Sequence, residues 1–297
     1  MDVLWIALLV LQAPPATDIY VAELRVADRR VSVSAPVNVT ARPGYDNQPF
    51  FLPNGRSFLY TSVHEDAQAD IYRYDLDRQI SVRVTATPES EYSPTPLPEG
   101  NGFSVVRVEA DSTQRLWAFN ADGSRPRLVL DSIKPVGYHA WANAHTLLLF
   151  VLGSPATLQM ADARSPGAPG EVLARDIGRS LQRIPGREAV SFVQRDSVAG
   201  ASLQELDVRT HRVTKLVQAP PGGGGSGGGG GADFFVWTLQ GIVLTARGTT
   251  LYQWDPQRGG GWEPVADFAS AGLTNVTRLA VSPKGDRLAI VAVPAQP

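Results

Sequence analysis

The 297-residue sequence has no cysteine, only two methionines and only four histidines. Without cysteine there is no disulfide, no thiolate nucleophile and no cysteine-ligated metal. Net charge is nearly absent too. The 27 basic and 29 acidic side chains leave a formal charge of -2, so no general attraction to nucleic acid or anionic lipid follows. No apolar run reaches membrane-spanning length. The stretch Leu4 to Leu11 is too short to cross a bilayer. Nor does any segment after residue 16 show a helical apolar period.

Residues 1–16 read "MDVLWIALLVLQAPPA", which fits a signal-peptide core with Ala13 or Ala16 before the cleavage point. Asp2 stands where a positive charge is expected, and a buried N-terminal strand is the alternative. The expectation is export to the periplasm or outside the cell. Residues 18–297 then form one domain with no membrane span.

Strand signals are abundant. Runs such as "RSFLYTSV", "GFSVVRVE", "HTLLLFVLG" and "DRLAIVAV" alternate apolar and polar residues and end at Gly, Pro, Asn or Asp. They recur as a unit. The anchors "LPNGRSFLYTS", "LPEGNGFSVVR", "WANAHTLLLFV", "IPGREAVSFVQ", "TLQGIVLTARG" and "SPKGDRLAIVA" lie roughly 40 to 55 residues apart, the period of a four-stranded propeller blade. A third strand follows each of the first five, for example "DIYRYDLD" and "TTLYQWDPQ", and a fourth returns, for example "ISVRVTA" and "WEPVADF". The sixth anchor has no such sequel. The missing pair is found at the other end of the chain, in "DIYVAELRV" and "RVSVSAPVNVT". The reading is an all-β, six-bladed β-propeller of four-stranded antiparallel blades, closed by N-terminal strands that complete the last blade. An open array is the alternative, and it leaves unpaired backbone groups along an edge.

The residues "DNQPFFLPNGRSFLYTS…DIYRYDLD" and "VTRLAVSPKGDRLAIVAV" resemble the TolB-like six-bladed propeller family, with its WD40-like (PD40) repeats. Pro49, Phe51, Pro53, Asn54, Gly55, Ile71, Tyr72 and Asp75 fit its motif in the first full repeat, and Ser282, Pro283, Gly285, Leu288 and Ala289 fit it in the last. Blades three to five depart from it. The resemblance implies either a periplasmic scaffold or the propeller half of a serine peptidase, and the favoured expectation is an exported, non-enzymatic, monomeric scaffold that binds a protein or peptide. The competing expectation is a hydrolase or lyase acting at the central channel mouth. Fold alone does not choose between them.

Chemistry-bearing motifs are sparse. Gly224-Gly225-Ser226-Gly227-Gly228 matches G-x-S-x-G formally, but it sits in the glycine-rich loop 222–231 rather than between a strand and a helix. The four histidines lack metal-ligand spacing, and only Asp46 and Asp233 offer themselves as acidic channel ligands. The expectation is therefore no catalytic residue, no metal and no cofactor. The first strand of each blade lines the channel, so the starts of those strands gather at one mouth. Asn47, Gln48, Tyr92, Ser93, Tyr138, His139, Trp141, Ser180 and Arg278 are the candidate ligand-binding residues. Tyr138, His139 and Trp141 form the expected recognition patch.

Overall fold

A computed structural model of the chain describes residues 15–64, 68–220 and 234–294. Residues 1–14 of the signal peptide expected over 1–16, the glycine-rich loop and Asp233 lie outside the described residues. Among the described residues no helix is long and apolar enough to cross a membrane.

Three strands open the described chain: β1 (Asp18–Ala27), β2 (Arg30–Val33) and β3 (Val37–Asn38). Blade one follows as β4 (Tyr45–Phe51), β5 (Ser57–Val63), β6 (Ala69–Asp75) and β7 (Ile80–Arg83). Blade two is β8 (Ser90–Pro96), β9 (Gly102–Val108), β10 (Gln114–Asn120) and β11 (Arg127–Leu128). Blade three is β12 (Val136–Trp141), β13 (Thr146–Val151), β14 (Thr157–Asp162) and β15 (Glu171–Arg175). Blade four is β16 (Ile177–Arg183), β17 (Ala189–Asp196), β18 (Gly200–Asp207) and β19 (Val213–Gln218). Blade five is β20 (Phe235–Trp237), β21 (Val243–Arg247), β22 (Thr250–Trp254) and β23 (Glu263–Asp267). Blade six begins with β24 (Leu273–Val281) and β25 (Arg287–Pro294).

The sixth sheet runs β2-β1-β25-β24, with β3 also paired to β1. The N-terminal strands thus supply its third and fourth positions, and the ring closes. Asp18 to Glu23 pair antiparallel with Ala292 to Arg287. The outer strand comes in two pieces. β2 pairs the end of β1 and β3 its start, with Ala35-Pro36 between them, because proline cannot donate to the ladder.

Period-two alternation lets β1 serve two interfaces at once. Ile19 packs with Phe51, Phe58, Tyr60 and Tyr74 of blade one. Tyr20, Ala22 and Leu24 face the other way, onto Leu244, Ala246 and Leu251 of blade five. Polar contacts join the same neighbours. Thr17 bonds Asp46 of blade one in both directions, at 2.9 and 3.0 Å. Arg29 forms a two-pronged ion pair with the buried Asp255 of blade five, both contacts at 2.5 Å.

The drifted repeats keep their turns by other means. Gly55 and Gly285, in the inner turns of blades one and six, hold left-handed φ of 66° and 70°, and each donates its N–H to the residue three before it. Blade three has no glycine there. Instead the Asn143 side-chain oxygen accepts from the N–H groups of His145 and Thr146 at 3.0 and 2.8 Å.

A cavity where six inner strands meet

The innermost strands, β4, β8, β12, β16, β20 and β24, ring the axis. In five of them the pairing with the next strand slips near its start. The slips fall at Asn47/Phe50, Tyr92/Thr95, Val136/Tyr138, Ile177/Leu181 and Thr274/Arg278. Such bulges re-aim side chains and free backbone groups from the ladder. The slips coincide with a cavity of about 90 Å³, lined by the inner strands of all six blades. That volume holds several water positions or one compact chemical group, and the cavity opens to solvent.

Gln48 and Ser93 hold equivalent places in blades one and two, and both have left-handed backbone, φ 59° and 55°. Neither is glycine, so the conformation is sustained by contacts. Gln48 Oε1 accepts from Ser93 N–H at 2.7 Å and from the Thr61 hydroxyl at 2.8 Å, which pins the two blades together. Ser93 Oγ is buried and has no partner.

Tyr138, His139, Ser180 and Arg278 also reach the cavity. Ser180 Oγ donates to the Phe235 carbonyl at 3.3 Å. Arg278 donates to the Tyr138 hydroxyl at 2.8 Å. Its guanidinium carbon lies 3.8 Å from the centre of the Phe234 ring and 5.1 Å from that of Tyr138. Burial pushes the nearby Tyr45 hydroxyl up to about 12 against the pull of the Arg278 and Arg179 guanidiniums.

Three candidates do not line the cavity. Asn47 is buried behind it; its amide donates to Thr17 Oγ1 at 3.3 Å, and its oxygen accepts from Gln48 N–H at 2.8 Å. Tyr92 packs into the hydrophobic cluster between blades two and three. Trp141 lies in that same cluster, and its indole N–H donates to Ser104 Oγ at 2.9 Å. The motif repeats in blade five, where Trp237 donates to Ser191 Oγ at 2.7 Å. Trp141 therefore works as a bracket between blades rather than as a recognition surface. Of the two acidic candidates, Asp46 is occupied: Arg42 and Ser62 donate to it at 2.7 to 3.0 Å.

His139 contacts Ser104 through Nε2 at 2.7 Å, while its Nδ1 has no partner. Desolvation holds the imidazole down to about 3. The pair looks like a nucleophile and base, but Ser104 is fully buried and no carboxylate orients the ring. Among the described residues no three histidine, aspartate or glutamate side chains gather where they could hold a metal ion.

Arg179, Thr95 and Phe234 line the cavity beside the candidates. Arg179 and Phe234 sit at the same repeat position as Ser93 and Arg278, so alignment of the inner strands was the signal for them.

No family model matches the sequence, and no curated protein matches it either. Solved structures do. A structure described as TolB from Agrobacterium tumefaciens superposes with a TM-score of 0.66 at 14% identity, covering 93% of this chain and 98% of that one. A Xanthomonas campestris gluconolactonase gives 0.57 at 9%, covering 95% and 97%. An oligogalacturonate lyase in complex with manganese gives 0.52 at 10%, covering 95% and 98%. In fold the chain is a TolB-like six-bladed β-propeller, and the two enzyme structures resemble it in fold alone.

Proposed function

We propose that this propeller is an exported binding module whose channel mouth receives part of a protein or peptide partner without transforming it. The observation that carries this reading is the cavity itself. Convergent polar and aromatic groups from all six blades line it, yet its one imidazole is buried, neutral and without an orienting acid. The apolar run Leu4 to Leu11 and the likeness to TolB support export.

Selection of a random-peptide display library on the immobilised full chain tests the reading. Peptides that bind are expected to lose at least about ten-fold in affinity when Gln182→Trp fills the mouth, equivalent to about 1.4 kcal/mol. Ile80→Trp, on the exposed outer strand of blade one, is expected to leave them unchanged. Peptides insensitive to Gln182→Trp, or turnover of any small lactone or polyuronide by the purified chain, would overturn it.

A further inference from the structure

Two features of the mouth are unmet by the protein itself. The first is charge. Arg179 and Arg278 line one cavity, and both act on the Tyr45 hydroxyl. Among the described residues neither has a carboxylate partner, although most other half-buried arginines do, such as Arg42 with Asp46 and Arg115 with Glu109. Two guanidiniums sharing a part-buried space repel one another, and an anion between them relieves that repulsion.

The second is an acceptor. The tautomer of His139 follows from comparison of two blades. In blade four, Ser191 Oγ accepts from Trp237 and donates to the Gln182 carbonyl at 3.2 Å. In blade two, Ser104 Oγ accepts from Trp141 and lies at the same 3.2 Å from the Thr95 carbonyl. With its single proton given to Thr95, Ser104 must accept from His139, so the ring proton sits on Nε2. Nδ1 is then a bare acceptor, in a side chain only 7% exposed that lines the cavity, although the atom itself is covered in this ring position. A buried acceptor without a donor is costly, and a ligand bearing an N–H would satisfy it.

The ligand that answers both is a carboxylate with an N–H one atom removed from its carbon. We propose that the channel mouth captures the C-terminal carboxylate of a peptide. The carboxylate sits between Arg179 and Arg278, the terminal amide N–H donates to His139 Nδ1 once the ring turns towards the cavity, and the last side chain lies against Phe50. The cavity's opening to solvent agrees, since it leaves the remaining chain free to run outside. Arginine's planar fork suits a carboxylate, and the aromatic walls suit an apolar group beside it better than a hydrated phosphate. The inference rests on the binding-module reading above.

The test is calorimetric titration of the full chain with N-acetyl-phenylalanine, its carboxamide and inorganic phosphate. The free acid is expected to bind at least about ten-fold more tightly than the carboxamide or phosphate. Arg179→Gln and Arg278→Gln should each remove most of that preference, whereas Arg25→Gln, on the exposed part of β1, should not. A hexapeptide with a free C-terminus should bind, its C-terminal amide should not, and an internal glutamate in the amidated peptide should not restore binding. Should an arginine variant fail to fold, amide chemical shifts of the unaltered protein decide, with movement centred on Tyr138, Phe234 and Arg278. Equal binding of acid and carboxamide, preference for phosphate, rescue by an internal glutamate or shifts elsewhere would each overturn the proposal. Display-selected peptides that are blocked by Gln182→Trp yet indifferent to amidation would sink this inference alone and leave the binding reading standing.

Discussion

A chain lacking residues 1–40 is expected to lose cooperative folding altogether. The deletion strips β25 of its antiparallel partner over six residue pairs, from Asp18–Ala292 to Glu23–Arg287. It also removes Ile19, Tyr20, Ala22 and Leu24, all buried, from two inter-blade clusters. Burial of a large apolar side chain stabilises by about 1.5–3 kcal/mol. Three such side chains and the lost ladder together rival the ~5–15 kcal/mol that holds a domain folded. Asp255 would in addition remain buried without Arg29. Thermal unfolding followed by near-ultraviolet circular dichroism reads the result. The truncated chain should show no cooperative transition and should aggregate through the bared edge. A monomer melting at the full chain's temperature would contradict the closure.

His139 is expected to make the protein acid-labile. Its folded pKa is depressed by burial to about 3, well below the ordinary 6.5. The unfolded chain therefore takes up this proton first as pH falls. Stability is unaffected above about 6.5, declines below it, and goes on declining towards pH 3, by about 1.4 kcal/mol for each unit. Glutamine at this position does not titrate. Urea unfolding of the wild type and of His139→Gln, compared between pH 7 and pH 4, isolates the slope, because the carboxylates are common to both. The stability difference is expected to move steadily in favour of the variant as pH falls, whatever its value at pH 7. A difference independent of pH would show that the ring is solvated or charged.

Much of the architecture could be read from residues alone, for a physical reason. The closure was legible because β1 and β6 share "DIY" and the same alternation, and only one unfinished blade could take the orphan pair. Hydrophobic period and turn residues are local, so they survive even where Asn143 replaces a glycine. The mouth was half legible. Gln48, Ser93, Tyr138, His139, Ser180 and Arg278 do share one cavity, since repeat position fixes height along the axis. Asn47, Tyr92 and Trp141 do not line it. Direction around the strand depends on bulges, and each bulge shifts the alternation without any mark in composition. Trp141 is instructive. It lies two residues beyond His139 on one strand, and both meet Ser104, which only the neighbouring blade could reveal.

Cysteine cross-linking offers the most direct test of the closed ring on which the mouth depends. Leu24 N–H donates to Asp286 at 2.9 Å, so the adjacent Glu23–Arg287 pair is a non-hydrogen-bonded one, with its side chains close. Cα atoms in such pairs lie about 4.5 Å apart, within the span of a disulfide. The native chain has no cysteine to compete. In the double variant Glu23→Cys/Arg287→Cys, mild oxidation of the folded monomer should join the two positions within one molecule, and mass spectrometry should find residues 23 and 287 in a single linked peptide pair. Thiols that stay free in the folded monomer, or that link only between molecules, would contradict the account.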